Sequence, residues 1–145
     1  MARICIILAS ATLLFFGLLH LYGTFFSTDL HPADVDLIIK LKSSHIQMDE
    51  TGNLWKLWIG FNAMFSAGLI FIGSVNLYLS AKHFHFLTDQ RFILLLTIAS
   101  NAFLVWVGHR FIITDFVLSM VIPLLLFVIA FTLIQFKLFN HPNKK

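Results

Sequence analysis

Seven polar or aromatic side chains stand out in this apolar sequence because they could form a pocket near one surface of a membrane. They are His20, Trp58, Asn62, His109, Arg110, Asp115 and Ser119. Together they offer imidazoles, an amide, a cation and a carboxylate, groups that fix the orientation of a small ligand or a lipid headgroup. Polar groups placed among apolar residues need partners, and they often mark a pathway or a pocket. We therefore predict a ligand-binding site at these positions.

A purely structural interpretation explains the same residues. His20 and Asn62 would bond to each other, or to a backbone carbonyl, as a polar contact between helices. Arg110 and Asp115 would then only close a turn. The sequence favours neither interpretation over the other.

Signatures of catalysis and of cofactors are weak or missing. The sequence has no nucleophile-elbow serine, no paired intramembrane acids, no glycine-rich phosphate loop and no zinc-binding helix. His20 and His109 would be the axial ligands of a haem, but no second pair exists. His83 and His85 lack a nearby third metal ligand. We expect no cofactor, no metal and no enzyme activity. The alternative is an enzyme acting on a lipid-like substrate, with His20 as acid or base.

The composition indicates that lipid is the solvent. Of the 145 residues, 59% are hydrophobic and only 12% are charged, too few to cover a water-soluble domain. The net charge of +3 comes from cations near helix ends, which excludes nucleic acid as the partner. The single cysteine, Cys5, excludes an internal disulfide.

Apolar runs predict an all-α, polytopic membrane protein with a single domain over residues 1–145. A span needs about 20 apolar residues, and four segments qualify: 4–26, 57–79, 92–108 and 116–136. The third is the shortest, and it reaches spanning length because Arg91 and Arg110 can extend outward at its ends. Four such helices predict a bundle embedded in the bilayer.

The distribution of basic residues predicts the orientation of the bundle. With four spans, the two termini and the loop 81–91 share one side. That side holds a single acid, Asp89, against six cations: Arg3, Lys82, Arg91, Lys137, Lys144 and Lys145. The positive-inside rule places it, with both termini, in the cytoplasm.

The long first connection, residues 27–56, is predicted to lie outside the cytoplasm and to cover the bundle like a lid. Pro32 suits a first helical position, and Asp34 and Asp36 suit the positive end of a helix dipole. A short external helix should follow them. The run 49–53 (DETGN) predicts a turn into the second span.

Small and polar residues predict which helix faces pack, because they allow helices in lipid to approach closely. The second span carries them on two nearly opposite faces, so we expect it to lie between neighbours. One face holds Gly60, Ala63, Ala67 and Ser74, and the other holds Asn62, Ser66, Gly73 and Asn76. Two further inward-facing tracks are Ser10, Gly17 and Thr24 in the first span and Thr97, Asn101 and Gly108 in the third.

Three stretches of the first half carry a resemblance: GLLHLYG at 17–23, LHP at 30–32 and especially TGNLWKLWIGFN at 51–62. They resemble an uncharacterised family of small four-helix bacterial membrane proteins. The resemblance implies the same bundle and a location in the bacterial inner membrane, and it implies no activity.

These observations lead to one expected function and two alternatives. We expect a small multi-pass inner-membrane protein that binds a small apolar or lipid-like molecule in an outward-facing polar pocket. The alternatives are the small membrane enzyme and an accessory subunit of a larger membrane complex. The bilayer is the expected partner, and a homo-oligomer or a larger assembly is left open.

Overall fold

The computed structural model describes residues 1–140, and these are mostly helical. The helices are α1 (Ala2–Phe26), α2 (Val35–Ser43), α3 (Leu54–Lys82), α4 (Phe84–Asp89), α5 (Arg91–Phe111) and α6 (Thr114–Asn140), and the strands are β1 (His45–Ile46) and β2 (Asp49–Asn53). Four helices are long and apolar enough to cross a membrane: α1, α3, α5 and residues Thr114–Lys137 of α6. The mainly helical fold and the four candidate spans are thus confirmed, while their assembly as a bundle in a bilayer stays a prediction.

Each long helix extends beyond the apolar run that predicted it. The third span is the clearest case, because α5 includes both Arg91 and Arg110 within Arg91–Phe111. Long cationic side chains continue a helix while their charged ends reach polar surroundings. The helix is consequently longer than its apolar stretch of 92–108.

The described chain divides into two compact units. The loop unit is Phe16–Ile70, and the terminal unit is Met1–Phe15 together with the chain from Phe71 onward. Because the divisions fall inside α1 and α3, both helices contribute a segment to each unit.

In the terminal unit, α1 and α3 approach closely at Gly73. A Cβ atom at this position would lie 2.8 Å from the carbonyl oxygen of Ser10 and 2.9 Å from the backbone nitrogen of Leu14. Only glycine permits that approach without a shift of the backbone. In α5, Gly108 similarly gives room to the ring of Phe116 in α6.

The predicted inward-facing tracks are confirmed in α1 and α5 but only partly in α3. All six residues of the two tracks are buried: Ser10, Gly17, Thr24, Thr97, Asn101 and Gly108. In α3, Ser66, Gly73 and Asn76 are buried, whereas Ala67 and Ser74 on the opposite face are exposed. On that opposite face Gly60 and Ala63 are half-buried, so the described chain covers it in part, and the expectation that α3 lies between neighbours stays a prediction.

The first connection folds into a helix and a hairpin. The carboxylate of Asp34 caps α2 by accepting a hydrogen bond of 2.9 Å from the backbone N–H of Asp36. Pro32 therefore precedes the helix, and its prediction as a first helical residue is wrong. The run 49–53 is the strand β2, paired antiparallel with β1, rather than a simple turn. Asn53 ends the strand because its side-chain oxygen accepts the backbone N–H of Lys56 at 2.8 Å and so caps α3.

Candidate functional site

The predicted partners His20 and Asn62 form a direct hydrogen bond in the loop unit. Nε2 of His20 lies 3.0 Å from Oδ1 of Asn62. His20 belongs to α1 and Asn62 to α3, so the bond links two candidate spans. Both side chains are half-buried, and the ring of Phe65 meets the imidazole edge to face at 5.2 Å. The imidazole is therefore held in one place by a polar and an aromatic contact.

A second hydrogen bond of Asn62 determines which imidazole nitrogen carries the proton. Nδ2 of Asn62 donates to the carbonyl oxygen of Trp58 at 2.8 Å, which leaves Oδ1 to face His20. Because an amide oxygen only accepts, Nε2 of His20 must be the donor. In the neutral ring, Nδ1 then has a free lone pair, and no hydrogen bond to it occurs within residues 1–140. His20 thus offers an acceptor to a ligand hydroxyl or N–H.

Backbone contacts of the same segment fix the helices that carry this pair. The hydroxyl of Thr24 donates to the carbonyl oxygen of His20 at 2.7 Å, and the hydroxyl of Ser66 donates to that of Asn62 at 2.9 Å. At Gly17, a Cβ atom would lie 2.9 Å from Cγ1 of Ile70. Close contact between α1 and α3 therefore holds the imidazole and the amide within hydrogen-bonding distance.

Trp58 connects α3 to the loop after α1. Its Nε1–H donates to the carbonyl oxygen of Leu30 at 3.2 Å, and Leu30 in turn packs against Gly23, where a Cβ atom would meet it at 3.4 Å. The indole is 44% exposed. Trp58 therefore positions the loop while keeping an open aromatic face.

A second tryptophan, Trp55, contacts a histidine and a lysine of the first connection. The ring of His31 meets Trp55 edge to face at 4.9 Å, and Nζ of Lys42 lies 5.4 Å from the centre of the indole. A cation over an indole face is attracted by the quadrupole of the ring. The helix α2, which carries Lys42, is thereby linked to the start of α3.

The electrostatics of the hairpin are dominated by Asp49. The hydroxyl of Thr51 donates to its carboxylate at 2.7 Å, and the backbone N–H of Thr51 donates to the same oxygen at 2.8 Å. These bonds stabilise the charged form, so they lower the pKa of Asp49 below its usual value of 3.8. The carboxylate is exposed, and its two hydrogen bonds to Thr51 stabilise the hairpin locally.

The other four predicted site residues belong to the terminal unit. His109 and Arg110 end α5 and Asp115 begins α6, and all three side chains are exposed. None of these three side chains forms a hydrogen bond or an ion pair in the part of the chain that the structure describes. The hydroxyl of Ser119 donates to the carbonyl oxygen of Phe116 at 2.7 Å. Their inclusion in one pocket with His20 stays a prediction.

Two buried amides of the terminal unit were not among the predicted site residues. Nδ2 of Asn76 donates to Oγ1 of Thr97 at 3.0 Å and to the carbonyl oxygen of Ile72. Asn101 is 1% exposed, and neither its Nδ2 nor its Oδ1 has a hydrogen-bond partner within the described residues. Both amides lie on predicted inward-facing tracks, so the sequence indicated that they would be buried. It could not predict their hydrogen-bond partners, because these depend on how the helices pack.

Histidines at the loop before α5 do not assemble a metal site with other residues of the described chain. Nε2 of His83 lies 3.3 Å from the hydroxyl of Tyr78, and their rings are 5.4 Å apart. Within residues 1–140, no three His, Cys, Asp or Glu side chains are grouped to hold a metal ion. The described contact of His83 is instead with the exposed ring and hydroxyl of Tyr78.

Comparison with protein-family models, with curated proteins and with solved structures found no match to this chain. The likeness of the first half to small four-helix bacterial membrane proteins therefore stays a resemblance. Any function must be argued from the side chains themselves.

Proposed function

We propose that this chain is a non-enzymatic protein of the bacterial inner membrane that binds a small apolar or lipid-like molecule beside His20. In this proposal the four candidate spans form a bundle, both termini are cytoplasmic, and α2 lies outside the cytoplasm. The binding site faces outward and includes His20, Asn62 and Trp58.

The imidazole nitrogen Nδ1 of His20, which has no hydrogen bond within the described residues, carries the proposal. The bond of Nε2 to Asn62 is also expected of a purely structural contact, but it leaves Nδ1 as an acceptor on a half-buried side chain. Polar groups at such positions in an apolar helix gain from a partner. A ligand with a hydroxyl group and an apolar body would donate a hydrogen bond to Nδ1 and would pack against the surrounding apolar side chains.

The aromatic residues near the pair support an apolar ligand rather than an ion. Phe65 contacts the imidazole, and Trp58 exposes 44% of its surface while its N–H is engaged by Leu30. Ligand pockets are lined mostly by apolar and aromatic groups, with a few polar groups that set orientation.

The proposal can be tested with a monoacylglycerol that carries a photoreactive diazirine in its acyl chain. Purified protein in detergent should be labelled on the peptide containing Trp58 and Asn62. We expect His20→Phe to lower labelling at least about tenfold, because the acceptor nitrogen is worth roughly 1.4 kcal/mol when it meets a ligand hydroxyl.

The matched control is His45→Phe, which makes the same change at an exposed position of β1 and should label like the parent protein. Equal labelling of the His20 and His45 variants would contradict the proposal. Time-dependent conversion of the probe that His20→Phe abolishes would instead establish the enzyme alternative. Recovery of the chain in a stable complex with another membrane protein would favour the accessory subunit.

A further inference from the structure

A pocket of about 580 Å³ lies in the terminal unit, between the start of α1, the helix α4 and the end of α6. Its volume is within the range of small-ligand sites. The apolar part of its wall comes from Met1, Ala2, Phe84, Leu133 and Ile134, and the polar part comes from Arg3, His85, Thr88, Asp89 and Lys137. The pocket thus combines an apolar wall with groups of both charges.

We infer that this pocket binds a membrane phospholipid whose headgroup carries both a phosphate and a primary ammonium group. The phosphate would face Arg3 and Lys137, the ammonium would face Asp89, and the lipid chains would lie toward Leu133. This site is separate from the one proposed beside His20, and it does not depend on that proposal.

Arg3, which lines the pocket, is held in place by two hydrogen bonds to the end of α3. Its Nε donates to the carbonyl oxygen of Ser80 at 2.9 Å, and its Nη2 donates to that of Ala81 at 2.7 Å. These carbonyls end α3, where the helix dipole favours a cation. A guanidinium has five N–H donors, so about three remain for a phosphate. Because the side chain is held before the ligand arrives, binding loses less conformational entropy.

Lys137 and Asp89 line the same pocket but do not neutralise each other. Neither side chain takes part in a hydrogen bond or an ion pair within residues 1–140, although both are exposed. The charged side chains of the lining are two cations and one carboxylate, a formal sum of +1 with His85 neutral. A headgroup that is only anionic would be repelled by Asp89, whereas a headgroup of both charges gives each charged side chain an opposite partner. A primary ammonium group, unlike a quaternary one, also donates hydrogen bonds to the carboxylate.

The location of the pocket fits a lipid rather than a soluble compound. Arg3 and Lys137 lie close to the ends of two candidate spans, Ala2–Phe26 and Thr114–Lys137. Cationic side chains at such ends meet lipid headgroups. Leu133 is 37% exposed beside the pocket, which provides an apolar surface for an acyl chain.

Native mass spectrometry of the full chain can test the assignment. The protein would be equilibrated in mixed micelles with equimolar dioleoyl phosphatidylethanolamine, phosphatidylglycerol and phosphatidylcholine. We expect phosphatidylethanolamine to be retained about fivefold more than either competitor, the equivalent of about 1 kcal/mol for one charge contact.

Two variants and a control separate the contributions. Asp89→Asn should remove the preference for phosphatidylethanolamine over phosphatidylglycerol, and Lys137→Gln should lower retention of all three lipids. Neither substitution removes a hydrogen bond of the described structure. Lys82→Gln removes a cation that does not line the pocket, so this variant should retain the lipids as the parent protein does. All three variants should have the melting temperature of the parent protein.

Three outcomes would overturn the inference. The first is equal retention of the three lipids by the parent protein. The second is a lipid preference of Asp89→Asn identical to that of Lys82→Gln. The third is complete displacement of the lipid by free phosphoethanolamine at an equal concentration, which would assign the site to a soluble compound instead.

Discussion

Asn62 and Asn76 both lie on α3, and each is hydrogen-bonded to a side chain of another helix. Asn62 accepts from His20 of α1, and Asn76 donates to Thr97 of α5. Their surroundings differ. Asn76 is 2% exposed and its partner Thr97 is 6% exposed, whereas Asn62 and its partner His20 are half-buried. The fully buried pair has no access for a ligand, so it is a structural contact. The half-buried pair keeps a free imidazole nitrogen, and that difference is why we place function there.

Introducing a carboxylate at each asparagine gives the largest expected effect. Asn76→Asp should lower the free energy of unfolding by about 3 kcal/mol, because a carboxylate at this buried position is taken out of water and faces the carbonyl oxygen of Ile72, to which the amide donated. Asn62→Asp should cost about 1 kcal/mol, since it loses the donor to the carbonyl oxygen of Trp58 but keeps an acceptor for the N–H of His20 in a partly exposed environment. Unfolding in sodium dodecyl sulfate, followed by circular dichroism, would measure both. Equal losses would show that the two environments do not differ.

Asn101 is a buried amide that has no hydrogen-bond partner within the described residues. Replacing it by leucine of similar size should raise the free energy of unfolding by roughly 1–2 kcal/mol, because the desolvation of an unpaired amide no longer opposes folding. Asn76→Leu, measured in the same detergent titration, should have the opposite sign. A loss of stability in Asn101→Leu would mean that this amide has a partner after all, such as a buried water molecule.

Removing the partner hydroxyl isolates the value of the buried pair. Thr97→Val should lower the free energy of unfolding by about 0.6–1 kcal/mol, the usual worth of a hydrogen bond between helices in a membrane. The matched control is Thr12→Val, because the hydroxyl of Thr12 donates to the carbonyl oxygen of Leu8 in the same helix and to no other helix within the described residues. A double-mutant cycle with Asn76→Leu would contradict the pairing if the two losses were simply additive.

The smallest effect is expected in the hairpin, where Asp49 is exposed. The lowered pKa of Asp49 means that its bonds to Thr51 stabilise the hairpin above the usual pKa of 3.8 and are lost as the pH falls through the lower folded value. Amide hydrogen exchange at Thr51 should therefore show less protection only in strong acid. Asp49→Asn should remove this pH dependence, while Glu50→Gln should preserve it.

The sequence predicted well what depends on local apolar content. Runs of about 20 apolar residues located all four long helices, and small residues located the buried tracks of α1 and α5. It did not predict the hairpin, because the polar run at 49–53 contains no aromatic residue and only one β-branched residue, Thr51. Nor did it predict α4, a single short helix in which Leu87 is buried.

The pairing of His20 with Asn62 was one of two interpretations of the sequence, and the two side chains do meet. Their role in a binding site stays a prediction. The bond from Trp58 to the carbonyl oxygen of Leu30 could not be predicted, because it depends on the path of the loop backbone. The pocket at Arg3 was also missed, since its residues come from three distant parts of the chain.

The close packing of α5 against α6 bears on how the protein is made. Only Ile112 and Ile113 separate the two helices, and Gly108 accommodates the ring of Phe116 directly after that link. α5 carries a cation at each end and is less apolar than α6. In the proposed membrane topology, a nascent chain with this geometry would deliver both helices to the translocon as one hairpin, so that the more apolar helix, synthesised second, would secure the insertion of the first.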